Sequence, residues 1–136
     1  MKFFLQILSL SVLLISCRQE IVPPDNPAGN INEPVYTRTN FSYSFAINAS
    51  RITRTVIDNT YLNTTSSRIY LVISDHSSGS VEIKVQNDNS FVLYSSVFDN
   101  DTDGIFRELD GYQPNIITLN FIDFTGKFKF TLTDRE

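Results

Sequence analysis

The sequence predicts an all-β protein, a single antiparallel β-sandwich of about 7–9 strands. Three observations carry this. From Val35 onward apolar residues recur at every second position. Turn-forming residues break these runs at intervals of about 10–14 residues, the spacing of a sandwich. Beyond the first 16 residues no window has the i, i+3, i+4, i+7 spacing of an amphipathic helix.

The chain opens with Met1 and Lys2, a short positive start. Residues 3–15 are then largely apolar, from Phe3 and Phe4 to Leu14 and Ile15. Such a run is too short to span a bilayer as a helix. It has the length of the hydrophobic region of a secretory signal. It ends in Leu14-Ile15-Ser16-Cys17, followed at once by Arg18, Gln19 and Glu20.

These four residues resemble the lipobox of bacterial lipoproteins. The resemblance implies a signal peptide over residues 1–16, cleaved before Cys17. It further implies a diacylglycerol thioether on the Cys17 sulfur and an acyl chain, such as palmitate, on the new amine. Only a thiol is nucleophilic enough to accept that lipid, and a small residue at Ser16 lets the peptidase approach. Two or three acyl chains then hold the protein firmly on a membrane. Arg18 stands where an aspartate would act as an inner-membrane retention signal, so the outer membrane is expected, on its periplasmic face or at the cell surface.

Residues 17–34 are expected to form a tether. Pro23, Pro24, Pro27, Gly29 and Pro34 oppose regular structure and favour an extended, hydrated chain. The sandwich is expected over residues 35–136.

Within it, Phe41, Tyr43, Phe45 and Ile47 alternate with Ser42, Ser44, Ala46 and Asn48. A weaker strand is expected over residues 52–57. Ile69, Leu71 and Ile73 form another face, but Tyr70 and Val72 make that run apolar on both sides. Val81, Ile83 and Val85 alternate with Glu82, Lys84 and Gln86, the clearest strand with one wet face. Residues 91–98 are apolar on both faces, as in a central strand. A second weak strand is expected over residues 105–109 and a mostly apolar one over 115–122. Phe128, Phe130 and Leu132 alternate with Lys127, Lys129 and Thr131. Turns are expected at Ser77-Ser78-Gly79, Asn87-Asp88-Asn89, Asp103-Gly104, Asp110-Gly111 and Thr125-Gly126. Residues 121–128 loosely resemble the last hairpin of sandwich modules of the pre-peptidase C-terminal type. This strand spacing suits an Ig-like or jelly-roll-like topology.

Composition narrows the function. With 136 residues the chain makes one domain. A single Cys rules out an intrachain disulfide framework and a Cys-based zinc site. Eleven Lys and Arg against 15 Asp and Glu, a formal charge of −4, leave no basic excess for phosphates, so no nucleic-acid partner is expected. The single His makes a His-rich metal site unattainable. Nine of the eleven Phe lie beyond the signal segment and supply bulky core residues in a chain without Trp.

One run carries chemistry. Asp99-Asn100-Asp101-Thr102-Asp103-Gly104 has the form D-x-D-x-D-G and resembles the first half of the calcium loop of EF-hands and dockerins. The resemblance implies Ca2+ ligands at Asp99, Asp101 and Asp103, the carbonyl of Ile105, and Asp110 at the twelfth place. Arg107 falls at the ninth place, where its charge opposes a cation, and no flanking helices are expected. The same run reads as a solvated acidic hairpin loop. Ser74-Asp75-His76-Ser77 sets a His beside Ser and Asp, but adjacent strand residues point to opposite faces, so no catalytic residues are expected. Tyr61 and Tyr112 stand in polar loops, where ligand contacts concentrate.

The expected function is therefore a membrane-anchored, non-enzymatic envelope lipoprotein presenting its sandwich to an envelope protein or glycan. Two alternatives stand beside it: a calcium-stabilised carbohydrate- or peptide-binding module, and a small inhibitor of an enzyme.

Overall fold

The computed structural model describes residues 30–135. The signal segment, Cys17 and the tether as far as residue 29 lie outside the described residues. Every regular element among the described residues is a strand: β1 (Val35–Arg38), β2 (Ser42–Asn59), β3 (Ser66–Gln86), β4 (Val92–Phe98), β5 (Thr102–Asp110) and β6 (Ile116–Asp134). All six join one antiparallel sheet in the order β1-β2-β6-β3-β4, with β5 also paired to β3.

Three strands are unusually long, 18, 21 and 19 residues for β2, β3 and β6. Each bends in its middle, and the bends align. Register shifts fall between Ala49 and Arg54 in β2 and between Ser74 and Ser80 in β3, where these strands pair with β6 around Asp123 and Gly126. Arg51, Asp75, Gly79 and Asp123 have φ of 50°, 55°, 72° and 46°. Bulges of this kind turn a strand sharply and leave ladder groups unpaired. Polar side chains take up those groups. Arg51 N–H donates to Thr125 Oγ1 (2.9 Å) and Asp123 N–H to Thr53 Oγ1 (2.9 Å). Ser78 Oγ donates to the Asp123 carbonyl (3.0 Å), and His76 N–H to Asp101 Oδ1 (2.8 Å).

The fold line turns one sheet into two layers. The first layer holds β1, the first half of β2, the second half of β6, the first half of β3, and β5. The second holds the other halves of β2, β6 and β3, with β4. Five segments thus face four. The sandwich expected from the sequence is present, built from six strands because three of them serve both layers.

The alternation seen in sequence fixes which side faces in. Tyr43, Phe45, Ile47, Ile69, Leu71, Ile73, Phe128, Phe130 and Leu132 are buried from the first layer. Val81, Ile83, Val85, Ile117, Leu119 and Phe121 are buried from the second. Phe45 stacks on Phe121 across the layers with ring centres 6.1 Å apart, and Phe128 meets Phe121 edge-on at 5.3 Å. Each such side chain contributes roughly 1.5–3 kcal/mol by leaving water. Leu62, in the loop after β2, closes one end of this core. Gln113 Nε2 holds the Leu62 carbonyl at 2.6 Å.

Several local expectations are corrected. Ser77-Ser78-Gly79 and Thr125-Gly126 are bulges within β3 and β6, not turns between strands. Residues 121–128 therefore form no hairpin. Their turn residues bend a strand whose partners on both sides bend with it. Asp103-Gly104 lies inside β5. Residues 91–98 form an edge strand, not a central one, with Phe91 and Val97 more than half exposed. The turns at residues 87–89 and 110–111 are present. In the first, Asn87 Oδ1 accepts the N–H groups of Asn89 and Phe91.

The folded body also starts earlier than residue 35. Ile31 bridges Asn48, and Asn32 N–H donates to the Asn48 carbonyl at 2.8 Å. The Asn32 side chain accepts from Ser50 N–H (2.7 Å) and donates to the Ser50 carbonyl (3.1 Å).

Candidate binding groove

The outer face of the five-segment layer carries a groove of about 520 Å3. Its floor follows from register. Side chains at every second position point outward, and pairing sets them in rows across the strands. One row runs Thr37, Ser44, Thr131, Tyr70, Phe106, of which Thr37, Ser44 and Tyr70 line the groove. The next runs Val35, Ala46, Lys129, Val72. A third runs Asn48, Lys127, Ser74. Small residues on β2 keep the floor low, and Tyr70 and the lysines stand above it.

Tyr70 is held in place. Its ring lies against Phe106 with centres 4.7 Å apart, tilted by 43°. On the same neighbouring strand Gly104 leaves space beside it: a Cβ there would come within 3.3 Å of the ring. Lys127 is bound to Asp75 at 2.6 Å. Lys129 is exposed on the central strand between Ala46 and Val72, and it makes no ion pair with any described residue.

The open edge beside β1 carries a second polar cluster. Arg38 Nη1 donates to Asp58 Oδ1 at 2.8 Å, and the Tyr43 hydroxyl donates to Asp58 Oδ2 at 3.2 Å. The Arg38 guanidinium also lies over the rings of Tyr36 and Tyr61, at 5.2 and 5.6 Å. Burial, and after it the Asp58 carboxylate, push the Tyr43 hydroxyl well above the usual phenol range.

The residues singled out in the sequence are scattered. Asp99 and Asp101 stand before β5, Asp103 lies within it, and Ile105 packs against the core. Asp110 ends the same strand, seven residues beyond Asp103 and so roughly 20 Å away at the rise of an extended chain. There it accepts from Ser66 Oγ at 3.2 Å and pairs with Arg135 at 3.3 Å. The sequence's five-residue calcium set is not brought together, because a strand runs where the loop would have to close. Among the described residues no three His, Cys, Asp or Glu side chains cluster closely enough to hold a metal.

Tyr61 and Tyr112 lie at opposite edges. Tyr61 covers Arg38, while Tyr112 packs on Phe91 with ring centres 5.2 Å apart, beside a smaller hollow of about 290 Å3. His76 is occupied by the Gly79 carbonyl (3.0 Å) and by the Phe124 ring (5.6 Å). Cys17 lies outside the described residues.

Sequence reasoning passed over Val72 and Lys129 as site residues. Their signal was present: Tyr70 and Val72 made residues 69–73 apolar on both faces, and the outward one of those faces lines the groove.

No protein-family profile and no curated protein matches the chain. Among solved structures it is similar to a Bacillus endospore appendage protein, of a family of disulfide-linked pili, with 11% identity and a TM-score of 0.44. That match covers 75% of this chain and 91% of the other. It is also similar to the glycosylation associate protein (Gap123) complex from Streptococcus agalactiae, with 14% identity, a TM-score of 0.39, and 82% and 40% of the two chains covered. A CBM4 structure matches with 9% identity, a TM-score of 0.32, and 75% and 74% covered. Likenesses at this level carry no argument about ligand or activity.

Proposed function

We propose that the protein is a non-enzymatic lipoprotein of the bacterial cell envelope that presents its sandwich for binding, with the outer groove as the binding surface. The observation that carries the binding part is the row of Thr37, Ser44, Thr131 and Tyr70 on a face whose inner strands β2, β6 and β3 are paired on both sides. Their hydroxyls make no hydrogen bond with any described residue and stay free for a ligand, whereas those of Thr39, Thr53, Thr102 and Thr125 are taken up in turns and bulges. The lipobox at residues 14–17 supports the anchoring part. Near the start of the described residues Ile31 bridges Asn48, a residue that lines the groove.

Labelling with an alkynyl palmitate analogue, followed by fractionation, tests the anchor. The wild-type chain is expected to take up label and sediment with membranes. Cys17→Ala is expected to lose both properties. A wild-type chain that stays unlabelled and soluble would overturn the anchor.

A further inference from the structure

We propose that the groove binds an acidic polysaccharide, with Lys129 meeting its carboxylates and Tyr70 its sugar rings. The proposal rests on the binding reading above and is independent of the lipid anchor.

Charge gives the first argument. No Asp or Glu lines the groove, in a chain whose net charge is −4. Lys127 is satisfied by Asp75, whereas Lys129 has Ala46 and Val72 beside it and neither offers an acceptor. An anion in the groove meets an uncompensated cation at the centre of the sheet. A charge-assisted bond from ammonium to carboxylate is among the stronger polar contacts.

Geometry gives the second. Thr37, Ser44, Thr131 and Tyr70 place one hydroxyl on each of four successive strands. Strands lie about 4.8 Å apart. That step is close to the length of one pyranose unit, so a glycan chain laid across the strands meets a hydroxyl at each unit. Tyr70 is pinned by Phe106 and beside Gly104, so a sugar's apolar face is met by a ring that needs no ordering.

The same geometry disfavours an acidic peptide. Extended peptides gain affinity from free main-chain groups at a sheet edge. The groove's floor on β2, β6 and β3 is paired on both sides, and the free edge at its rim, that of β1, is only four residues long. What it offers is side-chain hydroxyls, a cation and an aromatic face.

The test uses the full-length protein in nonionic detergent. Binding of fluorescein-labelled galacturonate oligosaccharides is followed by anisotropy, beside the same oligosaccharides methyl-esterified and beside polyglutamate. Saturable binding to the acid form is expected, with loss on esterification. Lys129→Gln and Tyr70→Ala should each weaken it by about tenfold. Lys84→Gln, on the second layer, should leave it unchanged. Lys129 is exposed, so its variant is expected to melt with the wild type, which separates binding from folding. Absent binding, equal binding of polyglutamate, or an equal loss in Lys84→Gln would overturn the proposal. The palmitate experiment fails or succeeds independently of this result.

Discussion

The Tyr43 hydroxyl and Asp58 Oδ2 lie 3.2 Å apart, although both residues belong to β2. The strand leaves the first layer, bends at the bulge near Arg51 and returns in the second, so its two halves face each other. Asp58 also binds Arg38 of β1 at 2.8 Å. One carboxylate therefore latches both layers at the edge where no further strand covers the core. The side chains of Arg38 and Asp58 are 29% and 17% exposed, so water screens this pair less than a surface pair.

Removing the carboxylate should cost more than removing the phenol. Asp58→Ala strands a part-buried guanidinium and a buried hydroxyl, and a loss of about 1–3 kcal/mol is expected in urea unfolding. Tyr43→Phe gives up one hydrogen bond and should lose about 1 kcal/mol. In the Asp58→Ala background the Tyr43→Phe change should cost almost nothing, since its acceptor has gone. Simple additivity of the two losses would rule out the latch.

The same pair predicts an alkaline transition. Burial first and the Asp58 carboxylate second raise the folded pKa of Tyr43. In the unfolded chain a tyrosine ionises near pH 10, so above about that pH the unfolded state loses a proton that the folded state keeps. This contribution to stability is complete below about pH 10 and is lost as pH rises toward the folded value. The slope from this group should approach about 1.4 kcal/mol per pH unit. Thermal melts taken up to strong alkali should show a shallower decline for Tyr43→Phe than for the wild type. Parallel declines would mean that other groups drive the loss.

Much of the fold was legible because alternation depends only on which face is buried. Tyr43 to Ile47 and Val81 to Val85 read correctly for that reason. The bends misled because Ser78, Gly79, Thr125 and Gly126 are turn formers by local conformation. Whether such residues end a strand or bend it depends on the partners, and here β2, β6 and β3 bend together. Residues 91–98 misled differently: apolar content implies burial on two faces, yet this strand sits at an edge with Phe91 leaning on Tyr112. The groove was hidden because it needs four strands in register, and Thr37 and Tyr70 are 33 residues apart in the chain. The acidic run was visible, but its closure depended on a loop where the chain forms β5.

Gly79 should be among the least replaceable residues at the fold line. A Cβ there would come within 2.3 Å of the Asp123 carbonyl carbon and oxygen and of the Ile122 oxygen, all backbone atoms. No rotamer relieves that, and φ is 72°. Gly111 has φ of 87° but nothing within 4 Å of its added Cβ. Gly111→Ala should cost about 1 kcal/mol from backbone strain alone. Gly79→Ala should cost at least about 3 kcal/mol or leave the chain insoluble. Equal urea midpoints for the two variants would contradict the close approach of β3 and β6.

Calcium should have no effect on melting. Asp101 Oδ1 already accepts the His76 N–H at 2.8 Å, which ties the chain before β5 to the bulge in β3. Asp110 is engaged with Ser66 and Arg135 at the far end of the strand. Asp99 and Asp103 are exposed and gather no third carboxylate near them among the described residues. Millimolar calcium and chelator should therefore give superimposable melting curves. Asp101→Ala should lower stability by about 1 kcal/mol, through loss of its bond to His76, and by the same amount in both buffers. A calcium-dependent rise in Tm that Asp101→Ala abolishes would show that the run at residues 99–103 recruits further oxygens and closes around an ion after all.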